Sequence, residues 1–150
     1  MANHQINPAA KNDSIDTYEC EPYVYAQNIL GDEHPQFGLG RNSWLSGTAS
    51  WVYQAATQYI LGIMPSYEGL MVNPCIPKEW DDFHVTRQYR GTTYAIHVKN
   101  PGHVNLGVKS VVIDGQPIQG QTLPIFDDQA THQVDVVMGQ ATASVAINRP

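Results

Sequence analysis

Apolar positions recur at helical spacing in the first part of the chain and alternate with polar ones in the second. Up to Tyr18 the residues are mostly polar and read as an extended lead-in. A helix is then predicted from Pro22 to Leu30. Proline suits the first turn, where its missing N–H is no loss, and Tyr23, Ala26, Gln27 and Leu30 fall on one face before Gly31 stops the run. Glu19 and Glu21 would lie near the positive end of its dipole. The loop that follows holds Pro35, Gly38 and Gly40. The second helix is predicted from Ser46 to Leu61, with Gly62 as the stop and Pro65 beyond it. Ala49, Val52, Tyr53, Ala56 and Ile60 follow the helical period, and Trp51, Ala55 and Tyr59 widen the apolar face. A helix this apolar needs cover on more than one side, and a single partner helix cannot supply it.

From Pro65 the texture changes. Three prolines and few periodic positions over 65–82 suggest a linker. Beyond it, Phe83 to Arg90 and Thr92 to Lys99 alternate around Gly91. Asn100-Pro101-Gly102 is a turn. Val108 to Ile113 and Gln116 to Ile118 flank Asp114-Gly115, a dipeptide that favours a type I′ hairpin. His132 to Met138 and Ala141 to Ile147 flank Gly139. Short strands with regular turn signals predict an antiparallel β-sandwich. The expected class is α+β: a helical part (1–64), a linker (65–82) and a sandwich (83–150).

Composition narrows the possibilities. Eight Lys and Arg against a net charge of −6 leave no basic footprint for nucleic acid. No apolar run is long enough to span a bilayer as a helix. MANHQINPAAKND lacks a basic n-region and an apolar h-region, so no secretory signal is expected there. Cys20 and Cys75 form no framework or CxxC pair and are expected as reduced thiols in a cytoplasmic protein. The six histidines (His4, His34, His84, His97, His103, His132) show neither i,i+4 nor HxH spacing, so no metal site is expected. The acidic pairs Asp32-Glu33, Asp81-Asp82 and Asp127-Asp128 fall in loops, outside the apolar surroundings that general-acid work requires.

The stretch SWLSGTASW, residues 43–51, has two readings. Ser46 or Ser43 can be a simple helix cap. The same small polar residues can cradle an anion, with hydroxyls from Ser46 and Thr48 and close backbone approach at Gly47, which has no Cβ. Trp44, Trp51, Tyr18, Tyr23 and Tyr25 suit either sugar stacking or core packing. Gln27, amid apolar neighbours, must satisfy its amide with a ligand's hydroxyls or with nearby backbone.

EPYVYAQNILG, FGLGRNSWLSGTASW, QYILGIMPSYEGL, NPCIPKEW and YRGTTYAIHVKNP, taken in order, resemble the C-terminal part of cellobiose phosphorylase. That enzyme is one of the inverting disaccharide phosphorylases, which include the cellodextrin and chitobiose phosphorylases. The resemblance runs from about Gln5 to Gly139. It implies the last helices of an (α/α)6 barrel followed by a C-terminal β-sandwich, which would account for the missing helical partners. It assigns phosphate binding to Ser46 and Gly47 of a W-L-T/S-G-T-A motif, with Thr48 adjacent, and donor-sugar contact to Gln27 of E-P-Y-x-x-A-Q. It implies no cofactor, with inorganic phosphate as co-substrate, and a homodimer or association with an N-terminal portion. The whole enzyme would convert cellobiose and phosphate to α-glucose 1-phosphate and glucose. The family's general acid and most sugar contacts lie upstream, so no catalytic residue is assigned here, and this chain alone is expected to be inactive. The competing expectation is a non-catalytic carbohydrate-binding or dimerisation module on the sandwich, with Trp80 or Tyr89 as platform.

Overall fold

A computed structural model describes residues 7–21, 24–45 and 47–140, which form two compact units, 1–54 and 55–150. Pro22, Tyr23, Ser46 and the strand expected at 141–147 lie outside the described residues.

In the first unit the polar lead-in is helical rather than extended. Pro8–Ser14 is a 3₁₀ helix with proline in its first turn, capped by the Asn7 side chain, which accepts from the Ala9 N–H at 3.0 Å. The α-helix Ile15–Tyr18 follows and ends at Glu19, whose φ of 56° is left-handed and whose N–H returns to Ile15 O. Tyr18, Cys20 and Val24 are the buried apolar residues of this unit. A Cβ at Gly40 would press on Cys20, Tyr18 and Ala26, so the chain comes close to them only because glycine stands there.

The helix expected from Pro22 to Leu30 does not form among its described residues. Asn28–Ile29 is instead a strand, β1, paired antiparallel with Gly40–Arg41, β2. Nine residues make a marginal helix in water unless an apolar face is covered. The short ladder gives the same backbone groups partners at once.

The helix expected from Ser46 to Leu61 is present as the α-helix Thr48–Gln54, followed in sequence by the π-helical segment Ala55–Ile60. Neither contains a buried residue, and Trp51, Tyr53 and Tyr59 are exposed. Ile60 packs against the core of the second unit, whereas the rings of Trp51, Tyr53 and Tyr59 stay exposed. No helix among those residues is long and apolar enough to cross a membrane.

The described residues of the second unit form two sheets. The smaller contains Ile63–Pro65 (β3), Leu70–Val72 (β4) and Thr122–Leu123 (β9), in the order β3-β4-β9. Two of these strands fall within or beside the stretch read as a linker. The larger sheet contains Asp82–Tyr89 (β5), Thr92–Lys99 (β6), Val108–Ile113 (β7), Gln116–Ile118 (β8) and Thr131–Met138 (β10), in the order β5-β6-β10-β7-β8. The hairpin turns at Arg90-Gly91 and Asp114-Gly115 have positive φ at both central residues, as type I′ turns require. β10 lies between β6 and β7, parallel to the first and antiparallel to the second, so the sheet is mixed rather than purely antiparallel.

Alternation along these strands makes the core. Tyr94, Ile96 and Val98 of β6 and Val134, Val136 and Met138 of β10 share one cluster with Ile63, Leu70, Val72 and Leu123 of the smaller sheet. Full burial of each such side chain is worth roughly 1.5–3 kcal/mol.

His132 ties two turns to this core. Its Nδ1 lies 2.6 Å from Asp114 Oδ2 and its Nε2 2.9 Å from Asp128 Oδ2. Ionised carboxylates only accept, so contacts at both ring nitrogens favour the protonated imidazolium. The ring also stacks on Phe126 at 3.9 Å. The Asp114 hydrogen bond is the main cause that raises the His132 pKa above its ordinary value, with Asp128 adding to it against burial. The Asp114 carboxyl is held low chiefly by His132, and that of Asp128 by the Ala130 N–H and then His132.

The sign of the linkage follows from these directions. The histidine's contribution is fully present below the ordinary histidine value near 6.5. It disappears as pH rises through the raised folded value. The carboxylate contributions are present above their ordinary range and disappear as pH falls through their lowered values. The melting-temperature advantage of the native chain over His132→Gln should therefore be largest near pH 5–6 and shrink by pH 9. An equal difference at pH 6 and pH 9 would show that charge is not what His132 contributes.

Candidate functional site

Of the residues singled out by sequence in the first unit, Gln27 and Trp44 lie outside helices and strands, and Thr48 and Trp51 lie in the helix Thr48–Gln54. β1 and β2 bring residues 27 and 42 together: the Gln27 N–H donates to Arg41 O at 3.0 Å, and Asn42 Nδ2 donates to Gln27 Oε1 at 3.0 Å. Gln27 is exposed, not buried amid apolar neighbours. Asn42 thus supplies one donor to the Gln27 amide oxygen. Asn42 has a φ of 56°, a left-handed conformation that asparagine tolerates, and it turns the chain from β2 into the Ser43–Leu45 segment.

Trp44 is anchored at one edge. Its indole N–H donates to Glu21 Oε1 at 2.8 Å, although 67% of the residue is exposed. That bond, followed by backbone and Ser43 hydrogen bonds, holds the Glu21 carboxyl below its ordinary value. Glu21 is thus an ionised acceptor that orients an indole, not a helix-dipole partner and not a proton donor. Trp51 is 72% exposed. Within this chain neither tryptophan serves as core.

Ser46 lies outside the described residues. Gly47 is exposed, and its carbonyl accepts the Trp51 N–H at 3.2 Å. Thr48 is the first residue of the helix Thr48–Gln54 and is half-buried. A Cβ built on Gly47 would meet only Trp51, at 3.7 Å, an ordinary contact. Crowding by the described residues therefore does not demand glycine at position 47.

The two cysteines are free, Cys20 buried and Cys75 exposed. Burial, reinforced by Glu21 and Glu19, raises the Cys20 thiol pKa, which makes it unreactive.

In the second unit the aromatic platform of a sugar-binding module is not open at Tyr89. Its hydroxyl donates to Ser66 O at 2.6 Å and the Arg90 guanidinium lies 5.4 Å over its ring. Trp80 packs edge-on to Phe83, with ring centroids 6.3 Å apart. The same unit brings together a group that sequence spacing did not reveal: Asp82, His84 and His97, with one ligand-type atom from each within 4.8 Å of the others. The usable signal was D-x-H at strand spacing, with a second histidine at the matching position across a hairpin.

Comparison with known proteins gives one consistent picture. Residues 2–62 match the family described as Glycosyl hydrolase 94 superfamily, catalytic domain. The chain is 48% identical over 134 residues to N,N′-diacetylchitobiose phosphorylase of Vibrio proteolyticus, covering 89% of this chain and 17% of that enzyme. It is 38% identical over 134 residues to solabiose phosphorylase of Paenibacillus borealis, again 89% and 17%. It is 37% identical over 62 residues to cellobionic acid phosphorylase of Neurospora crassa, covering 40% of this chain and 8% of that enzyme. The chain thus spans about one sixth of the length of the first relatives it matches.

Proposed function

We infer that this chain, which over residues 2–62 belongs to the glycosyl hydrolase 94 superfamily, is the C-terminal segment of an inverting disaccharide phosphorylase. The observation that carries this reading is similarity over 89% of the chain to phosphorylases named for different disaccharides. In this reading the helical residues up to about 64 complete an (α/α)6 barrel, whose other helices cover the exposed faces of Trp51, Tyr53 and Tyr59. The two sheets of the second unit, from Ile63 onward, form the accompanying sandwich domain. The whole protein is a cytoplasmic homodimer.

The chemistry is a displacement at the anomeric carbon. An upstream carboxylic acid protonates the departing glycosidic oxygen while phosphate attacks from the opposite face. Phosphate is already a charged nucleophile, so a second carboxylate is unnecessary and would repel it. Ser46, Gly47 and Thr48 hold the phosphate in line with C1. Gln27, with Asn42 fixing its side-chain oxygen, offers its amide to a hydroxyl of the donor sugar. Support for Gly47 comes from its open surroundings among the described residues, which leave room for an anion to approach the backbone.

Cellobiose is the substrate that the motifs imply, with α-glucose 1-phosphate and glucose as products. A second reading, N,N′-diacetylchitobiose, is favoured by the relative at 48% identity. The full-length protein, incubated with phosphate and either disaccharide, should release the corresponding sugar 1-phosphate with inversion, as followed by anomeric-proton NMR. Phosphate-independent release of free sugar alone would mark a hydrolase. Tight binding of cello-oligosaccharides by the 150-residue chain alone would support a non-catalytic module instead.

A further inference from the structure

The outer face of the five-stranded sheet carries a ligand set that the phosphorylase reading does not use. Asp82 and His84 are two residues apart on β5 and so project from the same face. The antiparallel register sets His84 directly opposite His97 of β6. The two imidazole rings stack with centroids 3.9 Å apart and planes 19° from parallel. His97 Nε2 lies 3.1 Å from Asp82 Oδ2. Donors around a tetrahedral ion with bonds near 2.0–2.1 Å stand about 3.3 Å apart. The Asp82–His97 edge therefore already has ligand spacing, and a rotation of the exposed His84 ring is the adjustment needed to complete the set.

The surroundings favour a cation. Asp135 of β10 lies 3.8 Å from His97 Nδ1, too far for a hydrogen bond but near enough to add negative charge beside the ring. Lys99 pairs with Asp135 at 2.8 Å, so its charge is compensated, and Asp82 leaves the face with one net negative charge. A surface cavity of about 280 Å³, lined by His84, Thr86, Ala95, His97, Gln133 and Asp135 among others, has room for an ion and its water. The β5–β6 ladder is paired without a break from Asp82↔Lys99 to Tyr89↔Thr92, which fixes the ligand backbones. His132 provides the contrast. It too has two aspartates, but they engage opposite ring nitrogens and cannot converge on one ion.

We propose that Asp82, His84 and His97 form a binding site for a borderline divalent transition ion of the Zn²⁺ class, with further positions filled by water. Two imidazoles and one carboxylate suit such an ion, whereas Mg²⁺ and Ca²⁺ prefer all-oxygen sets.

The test is calorimetric titration of the chelator-treated 150-residue chain with ZnCl₂, alongside MgCl₂. The expected result is one Zn²⁺ per chain and no response to Mg²⁺. His84→Ala and His97→Ala should each weaken Zn²⁺ binding by about 10-fold or more. No Zn²⁺ uptake, or uptake unchanged in the His84→Ala/His97→Ala double variant, overturns the site. Ring-proton NMR of the native chain keeps the proposal falsifiable should a variant fail to fold. The His84 and His97 signals must shift together on adding Zn²⁺, and movement confined to other histidines overturns it as well.

Discussion

In the full-length protein, Gly47→Val is expected to cripple the use of phosphate while leaving folding intact. A 1 Å displacement of a bound reactant can cost on the order of 100-fold in rate, and a branched side chain beside the Ser46 and Thr48 hydroxyls displaces the anion by at least that much. The structural half of the argument makes the result interpretable. Among the described residues, the space around a Cβ at Gly47 holds only the Trp51 ring at contact distance. The melting temperature of the 150-residue chain should thus change little in the variant. Initial rates measured against phosphate concentration, at saturating disaccharide, are the decisive readout. An unchanged phosphate dependence would remove residues 46–48 from the phosphate site.

Legibility in the sequence followed the range of the interactions involved. β5, β6, β7, β8 and β10 were readable because alternation, the Asp114-Gly115 turn and the Gly91 turn are local signals, and tertiary packing agrees with them. The parallel placement of β10 against β6 was not readable, because it depends on a crossover that joins strands more than thirty residues apart. β3, β4 and β9 were missed for a related reason. Two or three residues each, broken by prolines and glycines, give no period, yet they cover one face of the larger sheet.

The Pro22–Leu30 stretch failed differently. Its apolar positions fit a helical face, but the short ladder between Asn28–Ile29 and Gly40–Arg41 competes for the same backbone. The candidate site shows the same division. Gln27, Gly47 and Thr48 were found through motif resemblance, whereas the bond from Asn42 to Gln27 and the Glu21–Trp44 bond depend on loop conformation. Asp82, His84 and His97 match neither i,i+4 nor HxH spacing, because cross-strand register brings His97 from the neighbouring strand.

Gly62→Ala should have the opposite effect to Gly47→Val: the fold is strongly destabilised and no ligand is involved. Sequence reading placed Gly62 as a helix stop, and the structure gives it a second task. Its φ is +71°, and a Cβ there would overlap the backbone carbonyl of Asn73 and the nitrogen of Pro74. The Gly62 carbonyl also accepts the Asn73 N–H at 2.8 Å, which clamps the start of β3 to the chain leaving β4. Ile63 and Val72, on either side of that clamp, are both buried in the shared core. Left-handed backbone costs a non-glycine residue about 1–2 kcal/mol. Relieving an overlap with main-chain atoms, which cannot rotate away, adds about 1–3 kcal/mol more. A single domain has roughly 5–15 kcal/mol in total. Urea denaturation of the variant should thus show a midpoint far below that of the native chain, or no folding transition at all. Gly47→Ala serves as the matched control with a midpoint near native. Equal midpoints for the two variants would mean that the β3–β4 junction can yield, and that the small sheet is not held to the core through Gly62.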